Sequence, residues 1–228
     1  MKSEIKYPLV SIITPVYNGV DYIEDLILSV SNQDYPNIEH IIIDDGSSDN
    51  GATIGVLQRY PNLRWWTREN KGQYATMNEG LSAAKGDWVC FISADDLIAP
   101  EAVRTVIDFI FIHPECDAVY GKSQLINKNG VHYEVQNLLH QTPLWLYKFL
   151  PQIHHCSFYV RRNVLLEGNY LFDENLHYIG DYDWILRLIN AKFRFGFVNR
   201  VLSKIRIHPG QTSIQQEKEM SAEKRMAH

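Results

Sequence analysis

Leu9–Val16 reads LVSIITPV, a short apolar run rich in β-branched residues that ends at Pro15 and the turn-prone Asn18-Gly19. Bounded runs of this kind mark buried strands. Beyond it, Tyr22, Ile23, Leu26, Ile27 and Val30 recur at helical spacing after Asp21, with Glu24 three residues past that expected cap. Ile38–Asp44 (IEHIIID) repeats the strand pattern and halts at Asp45-Gly46-Ser47-Ser48-Asp49, before a helix of undefined length. Leu63–Thr67 (LRWWT) is a third strand, and Tyr74, Met77, Leu81 and Ala84 form a helical stripe before Gly86. Asp87–Ser93 (DWVCFIS) is a fourth strand; Val103, Val106, Ile107, Ile110 and Phe111 make another helix between Pro100 and Pro114. Strands alternating with helices predict a single α/β domain, a doubly wound and mostly parallel sheet flanked by helices.

The second half is less regular. Asp117–Gly121, Val131–Val135, Cys156–Val160, Phe193–Val198 and Ser203–Ile207 read as strands, Thr142–Leu150 as a short aromatic helix, and Asp181–Ala191 as an amphipathic helix. Residues 215–228 form a charged tail, helical or frayed. With 228 residues the chain buries enough surface to fold without disulfides or structural metal. Its 22 Lys+Arg against 27 Asp+Glu give a net charge of −5, which argues against a nucleic-acid binder. Cys90, Cys116 and Cys156 form no paired motif, and no apolar run suits a signal peptide or a membrane span. The expected location is cytoplasmic, with peripheral attachment at the inner face of a membrane left open.

In doubly wound sheets, ligands bind outside the carboxyl ends of the strands. Three such ends carry polar clusters: Pro15-Val16-Tyr17-Asn18, Asp44-Asp45-Gly46-Ser47 and Ser93-Ala94-Asp95-Asp96. Adjacent carboxylates at Asp95-Asp96 repel each other unless a cation answers them, and a hard divalent ion prefers such oxygen donors. Taken alone, each cluster also reads as a polar turn or a helix cap.

In order and spacing, these clusters resemble the family 2 glycosyltransferases. Asn70-Lys71-Gly72, Asn78-x-Gly80, Gly180-Asp181-Tyr182-Asp183-Trp184, and Arg206-x-His208 followed by Gly210-Gln211-Thr212-Ser213 extend the likeness from residue 8 to about 213. The resemblance implies a GT-A fold and an inverting, metal-dependent transfer of a sugar from a UDP-, dTDP- or GDP-sugar donor. The acceptor would be a saccharide or a lipid-linked hydroxyl in surface-polysaccharide or glycan assembly. Residues 1–214 would be the catalytic domain, with a donor-binding half at 8–115 and an acceptor and catalytic-base half at 116–214. Carried over residue by residue, Tyr17 would stack near the nucleobase, Pro15 would line its pocket, and Asp45 would accept from the base with Asp44 beside it. Asp95 would lie near the ribose or sugar, Lys71 would reach a phosphate, and Asp181 would be the general base. Asp96 would bind Mn²⁺ or Mg²⁺, with His208 as a further ligand. Two departures stand out: Ser93 where many members carry an acidic residue, and Met77 where many carry Arg.

Asp181 and Asp183 lie about 200° apart around a helix, so they cannot share one hydroxyl; the competing reading of Asp181 is a helix N-cap. His154-His155-Cys156 lacks a second ligand pair for zinc and reads as acceptor-side wall. Trp65-Trp66 and the Trp145, Tyr147 and Phe149 group read as core, with Trp145 the candidate platform for an acceptor ring. Two other classes compete: a sugar-phosphate nucleotidyltransferase, which needs a glycine-rich phosphate loop where this chain has only Gly19, and a non-catalytic nucleotide-sugar-binding module.

Overall fold

A computed structural model describes residues 7–135, 144–149, 153–211 and 216–226. Four parallel strands form one side of its sheet: β1 (Val10–Val16), β2 (Ile38–Asp44), β3 (Arg64–Thr67) and β4 (Trp88–Phe91). The two-residue β5 (Leu97–Ile98), β6 (Ala118–Asn127), β7 (His132–Val135), β8 (Phe158–Arg161) and β9 (Phe195–Ile207) complete it. The order is β3-β2-β1-β4-β8-β6-β9-β5, with β7 paired to β6. Antiparallel β8 joins β4 to β6, and β6 and β9 run parallel, so the sheet is mixed but mostly parallel.

Successive side chains leave a strand on opposite faces, and the core divides accordingly. Val10, Ile12 and Val16 of β1 and Ile42 of β2 pack with α1 (Ile23–Ser31), α2 (Ala52–Leu57) and α4 (Ala102–Ile112). Ile13, Ile41 and Ile43 pack on the other face with α3 (Gln73–Ala83), α5 (Arg162–Glu167) and α6 (Gly180–Asn190). A last helix, α7 (Glu217–Met226), sends Met220 against this second layer. No helix among the described residues is long and apolar enough to cross a membrane.

Several local expectations are corrected. Asp21 does not cap α1: the N-cap is Tyr22, and Gly19 O closes the turn by accepting from the N–H groups of Tyr22 and Ile23. Glu24 instead accepts from the Tyr60 hydroxyl and the Arg59 guanidinium. The segments at 193–198 and 203–207 are one strand, because irregular register against Gly121–Ser123 carries β9 across its polar middle. His155–Ser157 is a short 3-10 turn before β8 rather than strand. The aromatic helix reduces to a 3-10 turn at Leu144–Leu146; Thr142, Pro143 and Leu150 lie outside the described residues. Tyr147 is core, stacked on Tyr182, but Trp145 and Phe149 are 69% and 70% exposed.

Candidate functional site

The carboxyl ends of β1 and β4, the turn before β8, the start of α6, the end of β9 and Met220 of α7 enclose a cavity of about 890 Å³. Pro15, Tyr17, Asp45, Asp95, Asp96, Asp181 and His208 all line it. Two expected residues do not. Asp44 is buried and turned into its own loop, accepting from Thr67 Oγ1 at 2.7 Å and from the Ser47 hydroxyl and N–H. Lys71 has an exposed side chain, and its backbone N–H donates to Asp45.

Asp45 is held as a carboxylate would be at a helix start. The N–H groups of Lys71 and Gly72 donate to its two oxygens at 2.9 Å, and the Arg68 guanidinium pairs with it. Arg68 in turn binds Glu79 and the Thr76 hydroxyl, tying the β2 and β3 ends to α3. Met77, where an arginine was the family's pattern, is wholly buried in the second core layer. Tyr17 is half exposed, with its hydroxyl 3.2 Å from Ser48 Oγ.

Asp95 and Asp96 sit where β4 gives way to β5. Asp96 is buried, its Oδ1 accepting the Arg206 N–H at 2.9 Å; burial, then the Asp95 charge, pushes its carboxyl well above the usual carboxylate range. Asp95 Oδ2 lies 3.0 Å from His208 Nε2, so the histidine stands beside Asp95 rather than Asp96. Buried Arg206 organises this corner. Its guanidinium donates to Asp95 O, Lys128 O and Asp25 Oδ2, each at 2.9 Å, and lies over the Tyr22 ring.

Among the described residues no group of three or more His, Cys, Asp and Glu side chains converges as a closed metal cage. The donors still fit a hard cation: Asp95 and His208 side by side, next to the Asp96 carboxylate, whose proton affinity is raised by burial and then by the Asp95 charge. A diphosphate would have to complete such a coordination shell.

Across the cavity, Asp181 lies one residue inside α6, whose N-cap is Ile179, so the capping reading fails. Asp181 Oδ1 accepts the Tyr182 N–H at 2.9 Å, and Oδ2 lies 3.0 Å from His155 Nδ1. The other ring nitrogen of His155 is 3.2 Å from Ser93 Oγ. Burial raises the Asp181 carboxyl, but the hydrogen bond and charge of His155 outweigh it and leave the group below its ordinary value. The same pair works the other way on the ring: burial disfavours the imidazolium, and Asp181 holds its pKa above the ordinary value. Neighbouring His154, also lining the cavity, is driven down to about 4 by burial. Sequence reasoning sees His155 only as half of a His-His pair, since its partner lies 26 positions away. Tyr74 passes as a core residue by spacing, yet its ring packs against Gly180, where a side chain would meet it at 2.6 Å, and it borders the cavity.

The family model for Glycosyl transferase family 2 matches residues 11–188. An uncharacterised glycosyltransferase of Rickettsia typhi is 31% identical over 232 residues, 93% of this chain and 68% of that protein. One from Rickettsia bellii is 34% identical over 216 residues, 91% of this chain but 31% of the longer relative, so the chain spans under a third of that protein. A putative teichuronic acid biosynthesis glycosyltransferase of Bacillus subtilis is 38% identical over 108 residues, 45% of this chain and 42% of the relative. Among solved structures, S. aureus TarS 1-349 with UDP-GlcNAc superposes with a TM-score of 0.76 at 21% identity, covering 96% of this chain and 65% of that one. The Pyrobaculum calidifontis mannosyltransferase PcManGT with GDP-Man and Mn²⁺ gives 0.66 at 19% identity, covering 94% of this chain and 61% of that one. The sequence match runs from β1 through Asp181 and the structural one across the whole sheet: the chain belongs to the family 2 glycosyltransferases and has their GT-A fold.

Proposed function

We propose that this chain transfers a glycosyl group from a nucleoside diphosphate sugar to an acceptor hydroxyl, inverting the anomeric carbon, with Asp181 as general base. The observation that carries the proposal is the Asp181 carboxylate, held by His155 and Tyr182 in the cavity that Asp45, Asp95 and Asp96 also line. In the displacement, the acceptor oxygen bonds to the anomeric carbon as the bond from that carbon to the diphosphate oxygen breaks. The electron pair leaves with the diphosphate, and the acceptor proton passes to Asp181, which needs only to be ionised and within hydrogen-bond reach.

The donor would lie along the carboxyl ends of β1, β2 and β4. Tyr17 offers an exposed ring to the nucleobase, Pro15 a wall, and Asp45 an acceptor oriented by Arg68. Lys71, exposed beside that loop, would supply a positive charge to a donor phosphate. Asp95, Asp96 and His208 would hold Mn²⁺ or Mg²⁺, which when bound neutralises charge on the leaving diphosphate. UDP-GlcNAc in TarS and GDP-Man with Mn²⁺ in the mannosyltransferase support a nucleotide-sugar donor and a cation. The Bacillus subtilis relative, putatively of teichuronic acid biosynthesis, supports a role in surface-polysaccharide assembly, where the acceptor would be a saccharide or lipid-linked hydroxyl.

The test is nucleotide release from a panel of UDP-, dTDP- and GDP-sugars by wild type and Asp181→Asn. The variant is expected to lose at least about a hundredfold in kcat while UDP with Mn²⁺ still raises its melting temperature. Transfer at the full rate would remove Asp181 from the chemistry.

A further inference from the structure

Helix α6 begins without a cap of its own. Its N-cap is Ile179, which has no side chain able to accept the free N–H groups, and no side-chain cap is made. What α7, which lies beyond the residues matched by the family model, supplies is an acceptor for the turn that leads into the helix. Glu223 is 9% exposed, and its carboxylate takes three consecutive backbone donors: His177 N–H at 2.8 Å on Oε1, then Tyr178 N–H at 2.8 Å and Ile179 N–H at 3.0 Å on Oε2. A buried carboxylate is costly unless its lone pairs are filled by donors, and here they are. The tripeptide it grips leads directly into Gly180 and Asp181. Tyr74 packs against Gly180 as well, since a side chain there would meet the Tyr74 ring at 2.6 Å. Met220 stands one turn before Glu223 on the same face of α7 and reaches the cavity.

We propose that Glu223 is a positioning residue for the transfer reaction: by clamping the 177–179 turn from outside, it fixes where the Asp181 carboxylate stands in the cavity. The clamp makes α7 a wall of the active site rather than an appendage. It rests on the reading of Asp181 as the base, and it adds that the base is held in place by a carboxylate 42 residues further along the chain (223 minus 181). A carboxylate at the N-terminal end of α6 also complements the helix dipole, so the turn and the helix are secured by one group.

The experiment uses the full chain and compares Glu223→Gln with Glu219→Gln, an exposed neighbour on α7. Gln keeps the length of the side chain but turns one acceptor into a donor facing N–H groups. Three readouts are taken: amide hydrogen exchange across 177–183, nucleotide release from the same donor panel, and thermal stabilisation by UDP with Mn²⁺. Expected for Glu223→Gln are at least tenfold faster exchange in that segment and at least a tenfold lower kcat. Donor KM and UDP stabilisation should stay within twofold, because the strand ends that hold the donor are untouched. Glu219→Gln should match wild type throughout. Unchanged exchange, or an unchanged kcat, overturns the proposal. A loss confined to donor KM or to UDP stabilisation also overturns it, since that would be general loosening. Failure of the base assignment shows separately, as Asp181→Asn at full rate with native exchange.

Discussion

The Asp181 carboxylate accepts the Tyr182 N–H and lies 3.0 Å from the His155 ring, so the donors around it favour the ionised form against the cost of burial. A base must be ionised to work, and its activity falls as pH drops through its pKa. A pKa held low therefore carries activity further into acid. In His155→Gln the amide can still donate to Asp181 but brings no charge, so the proton affinity of the carboxyl rises. The acid limb of kcat/KM for nucleotide release should move to higher pH, with the largest loss below about pH 5 and little change near pH 8. An acid limb that stays in place would mean that it reports another group. At this scale the sequence is only partly legible. Asp44 and Asp45 are equivalent as letters, yet they leave the backbone in opposite directions, so Asp44 serves Thr67 and Ser47 while Asp45 faces the cavity. The approach of His208 to Asp95, 113 positions away, has no local signature at all.

Elements are more legible where burial is two-sided. β1, β2 and β4 are covered on both faces, and strands in that setting read as unbroken apolar runs, which is why their positions follow from composition alone. β5 is two residues long and has no pattern that a window can register, while exposed Asn199 and Arg200 make the single strand β9 read as two. Helix α3 shows what the pattern also hides. Its Gly80 looks like a weak point in a helix, but a methyl there would collide with Cγ2 of fully buried Ile13 and touch Ile43. The glycine is what lets α3 lie close on β1 and carry Tyr74 to the cavity. Gly80→Ala should therefore destabilise by about 1–3 kcal/mol despite the better helix former. Gly55 in α2 is exposed with open space around its missing side chain, and Gly55→Ala should stabilise by about 0.5–1 kcal/mol. Urea denaturation checks both, and equal effects of the two substitutions would contradict the packing argument.

Across the whole molecule, the sheet order brings Asp45, Asp95, Asp96 and Asp181 to one cavity in a chain whose net charge is only −5. Arg68 answers Asp45 and His155 answers Asp181, but Asp96 keeps a raised proton affinity beside Asp95. Like charges held close favour any ligand that neutralises them, so nucleotide and cation should bind as a pair rather than independently. A ligand at a hundred times its Kd stabilises the folded state by about 2.7 kcal/mol. For a domain of this size that corresponds to a rise of roughly 5–10 °C in melting temperature. UDP with Mn²⁺ at saturation should produce such a rise, and EDTA should abolish it while leaving the ligand-free midpoint in place. Asp95→Asn should lose the shift as well, without a lower midpoint of its own, because it removes the repulsion with Asp96 along with a cation donor. A UDP-dependent rise that survives both EDTA and Asp95→Asn would place the diphosphate on Lys71 and the other basic groups alone, and the acidic corner would then need a different occupant.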